Sequence, residues 1–335
     1  MSAPFPWLVA DVGGTNARFG YVKALGAPVE HIEVLSVKGH AGPAEAAQAY
    51  LNGLAARFEG FERPRSAALA VATAVTADRV VLTNAAWDFS QKAVAQALVL
   101  DVLILLNDFE AQALSLPRLG AGQARSWSAD HPVVAASHAP VGTVLSVLGP
   151  GTGLGVGGVV RTRDLWLALP GEGGHATLAP GNDFEGEVLA VARKSFRHVS
   201  AERFLSGIGL PTLCRSVGEA LGDAEDVSAY TPETIVGKAL DGSSRVCAQT
   251  VQTFCALLGS HAGNVALIQG ARGGVFIGGG IVPRLGELFF QSEFRQRFDA
   301  KGRFDTYMSA IPTAVITDTL AALSGASLAL EQFRA

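Results

Sequence analysis

The stretch Trp7-Leu8-Val9-Ala10-Asp11-Val12-Gly13-Gly14-Thr15-Asn16-Ala17-Arg18-Phe19-Gly20-Tyr21-Val22 governs how the rest of the chain is read. Trp7–Ala10 is a short apolar strand ending on a carboxylate, and Ala17–Val22 alternates as a second strand. Gly-Gly-Thr-Asn between them makes a β-hairpin. A tight glycine turn exposes consecutive backbone N–H groups, which form an anion nest. Asp11 offers the oxygen donors that Mg2+ takes directly or through water. An ordinary hairpin turn also favours Gly and Asn, so this stretch alone leaves both readings open. The same arrangement returns at Thr143–Leu148, Gly149–Gly155 and Val156–Arg161, with Thr152 supplying a hydroxyl like Thr15. Two hairpins of one kind point to two related halves facing each other.

Working outward, helices are predicted over Pro43–Phe58, Ser90–Leu98 with Ser90 as N-cap, and Phe109–Leu116, which Pro117 stops. Strand-like runs lie at Ala67–Ala74, Arg79–Leu82, Val102–Leu106, Trp166–Ala168 and Val275–Ile277. Further helices are expected over Phe184–His198, from Glu202 onward, through Asp226–Leu258, from Pro283, and over Thr319–Phe333 with Asp318 as N-cap. Leu119–Ala139 is turn-rich and punctuated by His131-Pro132. Strands and helices mixed along the whole length give an α/β class. A chain of 335 residues exceeds what one core serves, so two domains are expected.

Composition excludes several classes. Apolar residues at 49% against 17% charged rule out a disordered chain. A net charge of −4 provides no basic field for nucleic acid or anionic lipid. Val141–Val160 carries no charge and has the length of a spanning helix, but its glycines and Pro150 break such a helix, so it reads as strand–loop–strand and no membrane segment is expected. Cys214, Cys247 and Cys255 are isolated thiols with no secretory signal ahead of them, which fits a reducing cytoplasm.

The remaining motifs are each weak alone. There is no Gly-Lys-Ser/Thr, so no Walker loop. Gly153–Gly158 has closely spaced glycines, but a strand rather than a helix follows, which disfavours a dinucleotide fingerprint. Asn107-Asp108 follows a buried strand, where α/β sheets place ligand-contacting groups. A carboxylate there can accept a proton from a hydroxyl in phosphoryl transfer, while helix capping would use the same pair with no ligand. Glu172-x-x-His175 lies among Pro170, Gly171, Gly173 and Gly174, so it is a loop presenting a carboxylate and an imidazole rather than a helical metal motif. His198 and Glu202 have zinc-like spacing without a third ligand, and Glu202 also suits a first helical turn near Ser200. Gly273–Gly280 ends a strand with backbone that a flat base can approach.

In combination and order these motifs say much more. Asp11–Arg18, Leu106–Phe109, Gly149–Gly155, Leu169–His175, His198–Arg203 and Gly274–Arg284, with Lys301-Gly302-Arg303-Phe304 and Ile311-Pro312, make the chain resemble the bacterial, proteobacterial-type ATP-dependent glucokinases nearly end to end. The resemblance implies an actin/hexokinase-like (ribonuclease H-like) α/β fold with mixed sheets and a central cleft. It implies a small domain of residues 1–117 plus 318–335 and a large domain of 118–317. By that likeness Ala10, Asp11, Val12, Gly13, Gly14, Thr15, Gly151, Thr152, Gly153 and Gly279 hold ATP, and Asp11 meets Mg2+ through water. Asn107, Asp108, Glu172, His175 and Glu202 would contact D-glucose, with Asp108 as the general base on its 6-hydroxyl. A cytoplasmic homodimer is the implied assembly. Ala10 stands where the family commonly has glycine, and Asp318–Leu323 lacks the Asn-Pro-Gly pattern often seen there, which bears on the hinge. The related repressor and sugar-kinase group usually carries a cysteine-rich zinc loop, and its repressors an N-terminal DNA-binding domain. The scattered cysteines and the ten residues before Asp11 match neither. The alternatives are a kinase for another hexose or with another phosphoryl donor, and an actin-like or chaperone-like ATPase that acts on no sugar.

Overall fold

A computed structural model describes residues 2–82, 86–128 and 139–333. The first sheet starts as an antiparallel meander of β1 (Trp7–Val12), β2 (Asn16–Val22) and β3 (Glu30–Ser36). Helix α1 (Pro43–Arg57) then leads to β4 (Ser66–Val71), parallel to β1. A small hairpin, β5 (Arg79–Val81) and β6 (Asp88–Ser90), precedes α2 (Gln91–Leu98), whose N-cap Ser90 accepts from Ala93 N–H at 3.2 Å. Strand β7 (Val102–Asn107) lies parallel to β4 and runs straight into α3 (Asp108–Ser115).

After β8 (Ala124–Ser126) the pattern repeats. Strands β9 (Val144–Pro150), β10 (Leu154–Arg161) and β11 (Trp166–Leu169) form a second antiparallel meander. Helices α4 (Asp183–Arg193), α5 (Leu210–Leu221), α6 (Pro232–Leu240) and α7 (Arg245–Gln269) lead to β12 (Gly274–Ile277), parallel to β9. Four short helices follow, α8 (Val282–Leu285), α9 (Glu287–Phe290), α10 (Phe294–Asp299) and α11 (Asp305–Ser309). Strand β13 (Thr313–Ile316) runs parallel to β12, and α12 (Ala321–Glu331) comes last. The sheet orders are β3-β2-β1-β4-β7 and β11-β10-β9-β12-β13-β8. Without β8 they are the same topology twice, so the hairpin echo seen in the sequence extends through both parallel strands. This is the duplicated α/β architecture of actin-like and hexokinase-like proteins.

The final helix of each repeat crosses over. Helix α3 packs on β9, β10 and β11 of the second sheet, and α12 packs on β1 and β4 of the first. Leu323, Ala326 and Leu330 of α12 cover Trp7, Val9 and Ala68. The two helices touch at small residues, where a Cβ on Gly325 would overlap the Ala111 carbonyl. The largest core lies among α4–α10 and the second sheet.

Several sequence expectations need correction. The residues around Glu202 form turns rather than a helix, because Ser206 Oγ accepts Gly209 N–H (3.0 Å) and the helix starts only at Leu210, with Pro211 in its first turn. Helix α4 ends at Arg193, where Ser195 N–H tightens onto Ala192 O at 3.0 Å, so Lys194–His198 lie beyond it. Asp318 does not cap α12. Its carboxylate accepts Leu320 N–H at 2.8 Å in the preceding turn. Strand β13 is not predicted, since Thr313 and the three apolar residues after it carry no alternation. The His131-Pro132 expectation lies outside the described residues. Val141–Val160 does form the strand–loop–strand of β9 and β10. Helix α7 has the length and apolarity to cross a membrane, but 72% of its most apolar window is buried inside the protein, as a central core helix would be.

Candidate active site

Two hairpin turns and the start of α3 meet here. In the first turn Gly13 N–H donates to Asn16 O (2.9 Å), and Thr15 O accepts Val37 N–H (2.9 Å). Gly13, Gly14 and Thr15 lie at least partly open, whereas the side chains of Ala10 and Val12 are wholly buried in the first sheet. Only the backbone of Ala10 and Val12 can therefore face a ligand. In the second turn Gly151 N–H donates to Gly153 O (2.9 Å), and Gly151 O accepts Gly207 N–H (2.7 Å). Gly279 has φ +75°, and its Cα lies so close to Pro150 O that a Cβ would overlap it. Gly278 N–H donates to Leu148 O (2.7 Å) and Ile281 N–H to Pro150 O (3.2 Å), so the Gly278–Gly280 loop is fastened against the second turn.

Asp11, next to last in β1, lies opposite Arg18 of β2, and the two form an ion pair at 3.0 Å. Burial raises the Asp11 pKa, and Arg18 only partly offsets this. The Asp108 carboxyl is pushed up to about 6, first by burial and then by the charge of Asp11, with Glu172 adding to it. Asp108 thus senses carboxylates from two distant parts of the chain. Asn107 caps α3: its Oδ1 accepts Phe109 N–H at 2.9 Å, and Glu110 Oε2 accepts Asn107 N–H at 2.9 Å. Asn107 Nδ2 also donates to Thr73 O at 3.2 Å. Capping therefore does operate at Asn107, and it fixes the direction of Asp108.

Phe109 explains glycines that the sequence pattern linked to ligand binding. Its ring lies against Gly149 and Gly155, where a Cβ would overlap ring carbons, and its carbonyl would be 2.9 Å from a Cβ at Gly157. These three glycines in β9 and β10 admit helix α3. Only Gly151 and Gly153 lie at the turn itself.

The second carboxylate cluster hangs from β10. Glu172 bridges to Val156, and His175 N–H closes the next turn on Glu172 O at 3.0 Å. Glu202 N–H donates to Gly174 O (2.8 Å), and Glu202 Oε2 accepts Leu154 N–H (3.0 Å). A Cβ on Gly153 would come 2.5 Å from that oxygen. His175 Nδ1 lies 4.0 Å from Glu202 Oε1. Glu172, His175 and Glu202 are thus gathered beside the second turn. His198 instead meets Thr177 Oγ1 at 3.1 Å, and among the described residues no group of three His, Cys, Asp or Glu could hold a metal ion.

A partly buried carboxylate, two glycine turns and a loop carrying a carboxylate and an imidazole are thus gathered in one region. The glucokinase family profile matches residues 8–333. The chain belongs to the glucokinase family. It is 44% identical over 330 residues to the glucokinase of Aromatoleum aromaticum, covering 98% of this chain and 96% of that one. It is 44% identical over 331 residues to a Neisseria meningitidis glucokinase, with the same coverages. The crystal structure of a glucokinase from an Antarctic psychrotroph matches with TM-score 0.87 at 34% identity, covering 98% of this chain and 100% of that one. A glucokinase from Balamuthia mandrillaris solved with glucose has TM-score 0.76 at 16% identity, over 98% and 94% of the chains, and so shares the fold. In this glucokinase family member Glu110 lies outside the sequence motifs, while Phe109 and Arg18 belong to them without an assigned role. The Asn107-x-x-Glu110 spacing was a readable sign of the capping box.

Proposed function

We propose that this chain is an ATP-dependent hexose kinase that transfers the γ-phosphoryl group of ATP to the 6-hydroxyl of D-glucose. The observation that carries this reading is Asp108, the carboxyl at the start of α3 whose pKa burial and two neighbouring carboxylates raise to about 6. A base titrating there is largely ionised at neutral pH and still basic enough to take a proton as the hydroxyl oxygen attacks. Asn107, Glu172, His175 and Glu202 orient the sugar by accepting and donating to its hydroxyls. A wrong epimer leaves some of these groups unpaired, which is the source of selectivity. The N–H groups and hydroxyls around Gly14–Thr15 and Thr152–Gly153 take the phosphates, since Gly13 and Gly151 use their own N–H groups to close the turns. The loop at Gly279 lies where an adenine can rest.

Asp11 is a hard oxygen donor whose charge, with that of Glu172, opposes ionisation of Asp108, and a divalent cation nearby would offset that repulsion. A Mg2+ carried on ATP and touching Asp11 through water needs no further protein ligand. When bound, it neutralises charge on the β- and γ-phosphates. The same reading divides the chain into a lobe of residues 1–117 plus 318–335 and a lobe of 118–317, with a cytoplasmic homodimer as the working form. The helix exchange qualifies the first lobe, because α3 rests on the second sheet.

A coupled assay for the 6-phosphate across glucose, mannose, glucosamine and fructose, with ATP, other nucleotides and polyphosphate, tests the proposal. The expected result is turnover highest with glucose and ATP and abolished by EDTA. Nucleotide hydrolysis that no sugar stimulates would overturn it.

A further inference from the structure

The imidazole of His261 has no place in the reaction above. It sits in the middle of α7, only 5% exposed, and its Nε2 has no hydrogen-bond partner. An unmatched buried nitrogen is costly and calls for an explanation. The ring faces the backbone of Gly173, between Glu172 and His175. Gly173 has little freedom: a Cβ there would meet Val156 at 2.9 Å, and its carbonyl already accepts Ala176 N–H at 3.2 Å. A carbonyl has a second lone pair and can take another donor.

The surroundings keep the ring neutral and in place. Burial, with the Lys301 ammonium adding to it, lowers the His261 pKa to about 4. Lys301 Nζ donates to Ser260 O at 2.9 Å and Asn264 Oδ1 at 2.8 Å, on either side of His261 along the helix. Arg297 pairs with the buried carboxylate of Glu185 at 2.8 Å, and Glu185 Oε2 also accepts Gly181 N–H at 2.6 Å, past the far end of the same loop. The loop carrying Glu172 and His175 is therefore backed by a fixed wall that sets the His261 ring against its middle.

We infer that His261 is a positioning residue for the sugar-contacting loop: its ring, held against the backbone of Gly173, fixes that loop and so sets Glu172 and His175. This rests on the assignment of Glu172 and His175 to the sugar, and it adds a residue that never touches the sugar.

The test compares His261→Phe, which removes the donor, with His261→Gln, which keeps an N–H at similar reach. His261→Leu replaces the Phe variant should that one not fold. Losing this ring–backbone contact should raise the glucose KM about tenfold. The ATP KM should stay unchanged, and Gln should restore most of the loss. Hydrogen exchange of the amides in 171–176 should quicken in the donor-less variant, while exchange elsewhere in the second half stays as in the parent. An unchanged glucose KM with unchanged exchange overturns the inference. So does an equal loss for both substrates that Gln does not rescue. If the parent makes no sugar phosphate at all, the functional reading fails by itself, and local exchange in 171–176 still decides whether His261 holds the loop.

Discussion

At Asp108 the forces that serve chemistry act against stability. Its carboxyl titrates at about 6 rather than 3.8 because burial and the neighbouring charges of Asp11 and Glu172 oppose ionisation. The folded state therefore holds this proton more tightly than the unfolded chain does. The resulting stability is fully present below about pH 4 and is lost as pH rises through 6. At one pKa unit per 1.4 kcal/mol the ionised group costs at most about 3 kcal/mol above neutrality. Asp108→Asn should therefore melt at a higher temperature than the parent at pH 8 and at nearly the same temperature at pH 4, as read by calorimetry. The same variant should lose roughly 10²–10⁴ in kcat. In the parent, kcat/KM should fall below about pH 6 as the base is protonated. A variant that keeps near-full turnover would remove Asp108 from the role of base.

Glycines in β9, β10 and α12 serve packing between elements. Gly155→Ala would drive a methyl into the Phe109 ring, one residue from Asp108. The expected result is a kcat loss of tenfold or more with a smaller change in melting temperature, since α3 can tilt but the base then moves. Gly325→Ala presses on the Ala111 carbonyl at the α3–α12 crossing, and overpacking of this kind costs about 1–3 kcal/mol. Thermal unfolding should report that loss directly. These glycines also show what the sequence made legible. Spacing places Asn107-Asp108 at a strand end and Glu172-x-x-His175 in a loop, and the Asp108 carboxyl does lie within reach of the Glu172 charge. The loop Gly149–Gly155 reads either as a turn or as an anion nest, yet Gly149 and Gly155, with Gly157 beyond it, make room for Phe109, about 40 residues earlier in sequence, a contact that no local pattern encodes. Glu202 suits a first helical turn after Ser200, whereas its N–H donates to Gly174 O and its carboxylate accepts Leu154 N–H, both remote in sequence, and these bonds hold it in a turn. Short strand β13 gave no periodicity because it is buried on both faces.

For the molecule as a whole, the two repeats face each other, and α3 and α12 are the packed crossing between them. Closure about that crossing should bring Asp108 and the glycine turns together and exclude water. Small-angle scattering should show a smaller radius of gyration with glucose than without, and no such change with a sugar that is not phosphorylated. The exchange of terminal helices also bears on how the chain is made. Trp7, Val9 and Ala68 of the first sheet are covered by Leu323, Ala326 and Leu330. During synthesis those residues leave the ribosome only after both sheets, at some 5–20 residues per second. For that interval the earliest strands present an apolar face with no native cover, a surface that chaperones bind and that sticks to other nascent chains. Cotranslational folding should therefore complete the second repeat before the first, reversing the order of synthesis.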